Sequence, residues 1–302
     1  MKSTTAHTTL RQLMKLRTIR PEQFLLRYFV AIVLFSAACI MTVSSSTPIS
    51  IFGLLGEGAM FAHFLELQHQ CLHGTATGWR TLDRIIGVLC GLPMLVSFSD
   101  RREHHLDHHR YLGSPKDREF FSYDYDELHS WRALAIHLLM LRHYAYVVNN
   151  IRQAISYRSG SWTETLSSKA RTEYVIMALW VIGQVLAVIL GYDVVFRLCV
   201  LPLVVAIPCH VIIELPEHWG CERTRNVMAS SRTICASRFV VWFTNGNNYH
   251  VEHHVCAGIP YDALPNAHAV IKEQIVHLDT SYWQFYCRFA QSFWRSAHKQ
   301  IA

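Results

Sequence analysis

The feature that most constrains this chain is a long uncharged stretch near its N-terminus. Between Tyr28 and Val43 every residue is apolar or small, and Arg27 is the one charged residue from Phe24 to Val43. A helix of roughly 20 such residues crosses the hydrocarbon core of a bilayer. Hydrophobic residues make up 51% of the chain and charged residues only 17%, which is low for a soluble protein. The sequence therefore predicts an integral membrane protein.

Four apolar stretches predict two transmembrane hairpins. The first two stretches are separated by an uncharged turn that contains Pro48, and the last two by Gly191-Tyr192-Asp193. Basic residues precede the first span, and Lys169 and Arg171 precede the third, so the positive-inside rule puts both termini in the cytoplasm. The predicted spans are residues 24–43, 49–67, 174–190 and 194–213.

Two further apolar stretches are predicted to lie along the membrane surface. Ile85 to Phe98 is short for a span and contains Gly87, Gly91 and Pro93, so an interfacial or re-entrant helix is expected. Trp131 to Ile151 mixes arginines and histidines with Leu and Ile, and is expected to form one cytosolic surface helix. The expected fold is an all-α integral membrane protein, in which interfacial helices and a helical cytosolic cap accompany the four spans.

Composition argues against several other classes of protein. The nine cysteines are scattered without a C-x-x-C pair, so neither a disulfide framework nor a zinc ribbon is expected, and a reducing cytosolic side suits them. Membrane topology accounts for the formal charge of +6, and no nucleic-acid partner is expected. The basic leader is too long for a signal peptide.

Clustered histidines indicate a metal site beside the spans. The stretches R-E-H-H-L-D-H-H (102–109) and N-N-Y-H-V-E-H-H (247–254) each carry histidines at i, i+3 and i+4, which share one face of one helical turn. H-Q-C-L-H (69–73) has i, i+4 spacing at the end of the second span, and E-L-P-E-H-W-G follows the last span. The nine candidate ligands are His69, His73, His105, His108, His109, His218, His250, His253 and His254.

Nine imidazoles are too many for one metal ion but suit two. Imidazole binds zinc, copper, iron and nickel, so the ligand type alone leaves the metal open. Iron is favoured because two open-shell ions with neutral ligands at a membrane surface suit oxygen activation better than hydrolysis. Asp107 and Glu252 each precede a His-His pair, and they are predicted to accept imidazole N–H bonds behind the ligands.

The remaining histidines are predicted to have no metal role. His63 and His210 lie inside spans, where a hydrogen-bonded structural role is expected. His104 stands four residues before His108 and is the alternative ligand if the register of the second motif is shifted. The histidines expected at the surface or the membrane interface are His7, His129, His137, His143, His268, His277 and His298.

The three motifs, in this order and separated by two hairpins, resemble the histidine boxes of the membrane fatty acid desaturase and hydroxylase superfamily. The resemblance covers roughly residues 25 to 265. R-Y-L-G-S-P-K-D after the second box and N-Y-H-V-E-H-H-V-C-A-G-I-P-Y-D-A-L-P around the third resemble further signatures of the family.

This resemblance implies a non-haem di-iron centre on the cytosolic face, with O2 as co-substrate. It also implies that His218 completes the ligand set. Four residues earlier, Glu214 departs from the asparagine that holds a water ligand in some relatives, and it is a candidate for a direct or water-mediated role. The family's fused members carry an H-P-G-G haem motif, which this sequence lacks. Electrons are therefore expected from a separate ferredoxin, rubredoxin or cytochrome b5.

The activity implied is oxygen-dependent desaturation of an acyl chain in a lipid or lipid-like substrate. Hydroxylation of an acyl, terpenoid or natural-product substrate is the alternative. A metal transporter is disfavoured because the histidine clusters lie outside the spans. A b-type haem carrier would place paired histidines inside the helical bundle. The expected organisation is a basic cytosolic segment 1–23, a membrane domain 24–265 and a cytosolic helical segment 266–302, in a bacterial inner membrane.

Overall fold

The computed structural model describes residues 2–117, 128–156 and 166–299. Helices dominate this part of the chain, as the apolar pattern predicts. In chain order the helices are α1 (Lys2–Lys15), α2 (Pro21–Thr42), α3 (Thr47–Leu72), α4 (Arg80–Gly91), α5 (Phe98–Tyr111), α6 (Trp131–Leu138), α7 (Leu141–Ser156), α8 (Ser168–Ile189), α9 (Asp193–His218), α10 (Val227–Ser230), α11 (Arg238–Phe243), α12 (His250–Val255), α13 (Leu264–Ile271) and α14 (Tyr282–Lys299).

Four helices, α2, α3, α8 and α9, are long and apolar enough to cross a membrane. Each begins one to six residues before the start predicted for its span. Large apolar side chains on these helices point outward, including Leu26, Phe29, Ile189 and Val204, which are 63%, 63%, 73% and 71% exposed. Apolar helix surfaces that are this exposed require contact with lipid. The prediction of a helical membrane protein with four spans is confirmed.

Helix α3 is the centre of the membrane region, because both α2 and α9 pack against it. Glycines on α3 allow these close approaches. A Cβ atom added to Gly53 would lie only 2.3 Å from the backbone nitrogen of Thr42 on α2, and one added to Gly58 would lie 2.5 Å from Val205 Cβ on α9. Helix α8 instead packs against α7, where Val147 and Tyr174 are buried together.

The segment predicted to be interfacial or re-entrant turns back sharply. Helix α4 continues into a 3₁₀ turn at Leu92–Met94, and α5 then leaves at 100° to it. Leu95 takes a left-handed backbone conformation at the bend (φ 58°). The return carries His105 on α5 to within 2.7 Å of His69 on α3, measured between their Nε2 atoms. This segment therefore does not separate the first two histidine boxes.

The expectation of one helix from Trp131 to Ile151 is wrong. Helix α6 ends at Leu138 and α7 begins at Leu141, and Met140 between them has a positive φ of 49°. The Met140 side chain is buried in the main apolar cluster. The positive φ at Met140 interrupts the helical backbone, so the stretch forms two shorter helices.

A small parallel sheet, which the sequence did not predict, supports the third histidine box. Strand β1 (Arg232–Ile234) pairs with β2 (His277–Asp279), and Thr233 also forms an antiparallel bridge with Tyr249. Tyr249 directly precedes α12, so this bridge fixes where that short helix begins.

Candidate metal centre

The four elements that carry the candidate ligands end or begin around one pocket. Helix α3 ends at Leu72, so His69 lies in its last turn and His73 caps it. Helix α9 ends at His218. Helix α5 begins with the Ser97 side chain accepting a hydrogen bond from the Asp100 backbone N–H, and it carries its box in its second half. Helix α12 consists almost wholly of the third box.

All nine predicted histidines meet in this pocket, and they form two groups. Within each group, the nitrogen atoms that could bind a metal lie within 4.8 Å of one another. Neither group corresponds to a single box, because the second and third boxes are each divided between the two groups. The first group is His69, His73, His105, His109 and His253, and the second is His108, His218, His250 and His254.

The spacing of the nitrogen atoms within each group fits metal coordination. In the first group His105 Nε2 lies 2.7 Å from His69 Nε2 and 2.9 Å from His73 Nε2. In the second group His218 Nε2 lies 3.1 Å from His108 Nε2 and 3.0 Å from His250 Nε2. Nitrogen atoms this close together can contact one metal ion, whose bonds to imidazole nitrogen are about 2.0–2.1 Å long.

Hydrogen bonds at Nδ1 turn several Nε2 atoms toward the pocket. His108 Nδ1 lies 2.9 Å from the Asp117 carboxylate, and His218 Nδ1 lies 2.8 Å from the carbonyl oxygen of Ser230. His250 Nδ1 lies 3.1 Å from Asn247 Oδ1. An acceptor at Nδ1 holds the proton on that atom and leaves the Nε2 lone pair free to bind a metal.

Burial disfavours the charged form of four ligands outside the spans. The pKa values of His109, His250, His253 and His254 lie well below the ordinary histidine value, chiefly because burial disfavours the charged ring, and also because neighbouring histidines repel a proton. A neutral imidazole is the form that binds metal. The residues present therefore fit two metal ions.

Aromatic packing fixes two of the rings in the first group. The Tyr261 ring lies 5.5 Å from the ring of His69 and 5.2 Å from that of His253, measured between centroids, and is nearly perpendicular to both. Tyr261 belongs to the P-Y-D-A-L-P stretch that follows the third box and is 1% exposed. It holds ligands from two boxes against each other.

Asp107 and Glu252, the carboxylates predicted to accept imidazole N–H bonds behind the ligands, differ in their burial and contacts. Asp107 is half-buried on α5. Glu252 Oε2 accepts a hydrogen bond of 2.6 Å from the Thr233 hydroxyl, and Glu252 Oε1 lies 2.5 Å from His268 Nδ1. Thus Glu252 anchors α12 to β1 and α13. His268 is a partner of that carboxylate and was expected to be isolated at the surface.

Glu214 lies one helical turn before His218 and bonds Arg101 and His210. Its Oε1 atom accepts a hydrogen bond of 2.8 Å from Arg101 Nη2 and lies 3.1 Å from His210 Nε2. The predicted direct or water-mediated role at the metal remains a prediction. The neighbouring Glu217, which the sequence analysis missed, has its Oε2 atom 3.3 Å from His250 Nε2.

Sequence reasoning also missed the acceptors at Nδ1, Asp117, Asn247 and Ser230. Two of them stood in quoted motifs: Asp117 ends R-Y-L-G-S-P-K-D, and Asn247 begins N-N-Y-H-V-E-H-H. Their closeness in sequence to the histidine motifs could have identified them as hydrogen-bond acceptors for the ligands. Ser230 contributes only its backbone carbonyl, which any residue type provides.

The fold and the two histidine groups define a class: helical membrane proteins with a histidine-rich metal centre at the end of the spans. The fatty acid desaturase family model matches residues 46–286, so the chain belongs to that family. Membership implies an oxidoreductase. The chain is also 24% identical over 239 residues to an sn-1 oleoyl-lipid 12-desaturase of Picosynechococcus sp.; the match covers 72% of this chain and 67% of that protein.

Proposed function

We propose that this protein is a membrane-bound di-iron desaturase that introduces a double bond into an acyl chain of a lipid. The observation that carries this proposal is the meeting of nine histidines in two groups at the end of the apolar helices. Family membership supports an oxidoreductase, and the similarity to a lipid desaturase supports an acyl-lipid substrate.

The nine histidines are proposed to bind two iron ions, five in the first group and four in the second. When bound, such ions supply the activation of O2 that removal of hydrogen from an unactivated C–H bond requires. Burial favours the neutral, metal-binding form of ligands such as His250 and His254, and Asp117, Ser230 and Asn247 orient the rings of three ligands in the second group. Seven of the nine histidines are buried, which limits the access of bulk water to the site.

The overall reaction balances with an external source of electrons. A –CH2–CH2– unit, one O2, two electrons and two protons yield –CH=CH– and two water molecules. The electrons are proposed to come from a separate carrier of the ferredoxin, rubredoxin or cytochrome b5 type. Both termini and the metal centre are proposed to lie on the cytoplasmic side of a bacterial inner membrane, a topology that the basic residues before the first span support through the positive-inside rule. Segments 1–23 and 266–302 are proposed to flank the membrane domain, residues 24–265, on that side.

The test is the lipid profile of a host that expresses the protein together with a competent ferredoxin system. Desaturation lowers the mass of an acyl lipid by two hydrogen atoms, whereas hydroxylation, the alternative, adds one oxygen atom. A His108→Ala variant should abolish the change, and a variant of an exposed histidine outside both groups, His129→Ala, should retain it. An unchanged profile with iron-loaded protein would contradict the choice of acyl lipids.

A further inference from the structure

A layer of polar side chains lies next to the metal centre, on its membrane side. Glu66 stands three residues before His69 on α3, and Glu214 stands four residues before His218 on α9. This spacing puts each carboxylate on the same face of its helix as the ligand, about 5.4 Å or less along the axis. Arg101 likewise stands four residues before the ligand His105 on α5. The helices that carry the ligands therefore also bring these polar side chains together.

Direct contacts join this layer across three helices. Arg101 Nη2 on α5 donates to Glu214 Oε1 on α9 at 2.8 Å, and the same oxygen lies 3.1 Å from His210 Nε2. On its other side His210 Nδ1 lies 3.8 Å from Glu66 Oε1 on α3. His210 thus lies between two carboxylates.

Helix α9 connects this layer to the metal centre. Glu214 and His218 lie one turn apart on it, and His218 Nε2 lies 3.0 Å from Nε2 of the ligand His250. The layer is therefore close to the second group of ligands.

Within the part of the chain that the structure describes, two atoms of the layer are buried without a hydrogen bond. Glu66 is 1% exposed and His210 is 2% exposed, and neither Glu66 Oε2 nor His210 Nδ1 has a hydrogen-bond partner among the described residues. A carboxylate oxygen requires a donor, and imidazole Nδ1 requires a donor or an acceptor according to its tautomer. A hydroxyl group offers both functions, whereas a saturated hydrocarbon offers neither. Buried polar atoms that stay unpaired are costly, so these atoms favour a ligand with an oxygen.

We propose that Glu66 and His210 form a hydrogen-bonding subsite for an oxygen atom of the substrate, a hydroxyl group in the simplest case. The subsite lies about one helical turn from the metal ligands, so the oxygen is a few carbons from the reacting C–H bond. This inference rests on the proposed function, because it assigns the layer to the substrate of the metal centre. It narrows the substrate class from plain acyl chains to chains that carry an oxygen substituent near the site of oxidation.

A trapped water molecule could supply the same hydrogen bonds, and a binding experiment separates these two sources. Purified protein in lipid nanodiscs is equilibrated with radiolabelled 1-dodecanol or dodecane, and binding to empty nanodiscs is subtracted. If the subsite accepts a substrate hydroxyl, dodecanol should bind about 10-fold more tightly than dodecane. If it holds only water, the two probes should bind equally, which would overturn the proposal.

Variants then locate the preference in the protein. Glu66→Leu and His210→Phe should each reduce the preference for dodecanol toward equality. The matched control is Glu57→Leu, which removes another fully buried carboxylate nine residues earlier on α3 and should leave the preference unchanged. A preference that persists in both subsite variants would contradict the assignment. If a variant fails to fold, the comparison of dodecanol with dodecane on the wild-type protein still tests the proposal.

Iron analysis on the same samples separates this inference from the proposed function. Wild-type protein without iron would refute the di-iron proposal, whereas the binding comparison needs no turnover and tests the subsite alone. Equal binding of both probes by iron-loaded protein would refute the subsite but would not contradict the proposed di-iron centre.

Discussion

His108 Nδ1 lies 2.9 Å from both carboxylate oxygens of Asp117. The chain reaches this position because α5 ends at Tyr111 and Gly113, with a φ of 70°, turns the backbone back toward the helix. Asp117 is 8% exposed, so its charge is screened little by solvent. This pair orients a ligand of the second group, and the same region of α5 supplies ligands to both groups.

Replacing Asp117 should weaken metal binding more than replacing Asp107. In Asp117→Asn the acceptor for His108 Nδ1 loses its charge, and metal affinity should fall about 10- to 100-fold. The measurement is iron retained per protein during titration with a chelator. Asp107→Asn is the matched variant, since the sequence predicted this role for Asp107. A greater loss of iron from Asp107→Asn would favour the sequence-based assignment over the structural one.

Adjacent histidines should serve different metal ions. His253 belongs to the first group and His254 to the second, although they are neighbours in sequence. His253→Ala and His254→Ala should each lose about one of two bound irons, because each change removes a ligand from one group. Mössbauer spectra of the two variants should retain different iron signals. Identical residual spectra would contradict the division into two groups.

The Glu173 carboxylate should stabilise the start of α5. It accepts hydrogen bonds from the Ser97 hydroxyl at 2.7 Å, from the Ser99 backbone N–H at 2.8 Å and from the Ser99 hydroxyl at 2.6 Å. Glu173 is 2% exposed, so Glu173→Gln should lower the free energy of unfolding by about 1–3 kcal/mol. Thermal unfolding in detergent measures the loss. Glu273→Gln, at an exposed site, is the control and should unfold like the wild type.

His143 should make the protein sensitive to acid. Burial, with a smaller effect of nearby His210, lowers the pKa of His143 from 6.5 to about 4. As the pH falls below about 6.5, His143 takes up a proton in the unfolded chain, whereas in the folded protein it stays neutral down to about pH 4. The free energy of unfolding therefore decreases across this window by up to about 1.4 kcal/mol per pH unit. His143→Gln should flatten this dependence in thermal unfolding at pH 5 to 7.

The control for this pH dependence is His129→Gln, because His129 is exposed. The control and the wild type should lose stability in parallel. An identical slope for His143→Gln and the wild type would show that His143 titrates normally in the folded protein.

Much of the fold could be predicted from the sequence because the length and composition of an apolar stretch identify a membrane span. An uncharged stretch such as Tyr28 to Val43 is long enough to form most of a transmembrane helix. The spacing of the histidines predicted which of them share a helical face, and these nine do meet in the pocket. By contrast, the break at Met140 and the pairing of the two three-residue strands depend on contacts with distant residues, which local patterns do not encode.

The division of the ligands could not be predicted for a related reason. Helical spacing determines the face on which His253 and His254 lie, but the direction of each ring depends on how α12 crosses α5 and α3. In the same way, proximity in sequence favoured Asp107 as an acceptor for imidazole N–H groups, whereas the turn at Gly113 brings Asp117 to His108.

The most direct test of the metal centre is elemental analysis of the purified protein by mass spectrometry, supported by Mössbauer spectroscopy. The nine-histidine arrangement predicts about two irons per chain, each bound by imidazole nitrogen atoms. Full occupancy by zinc, or a single metal ion per chain, would contradict the account.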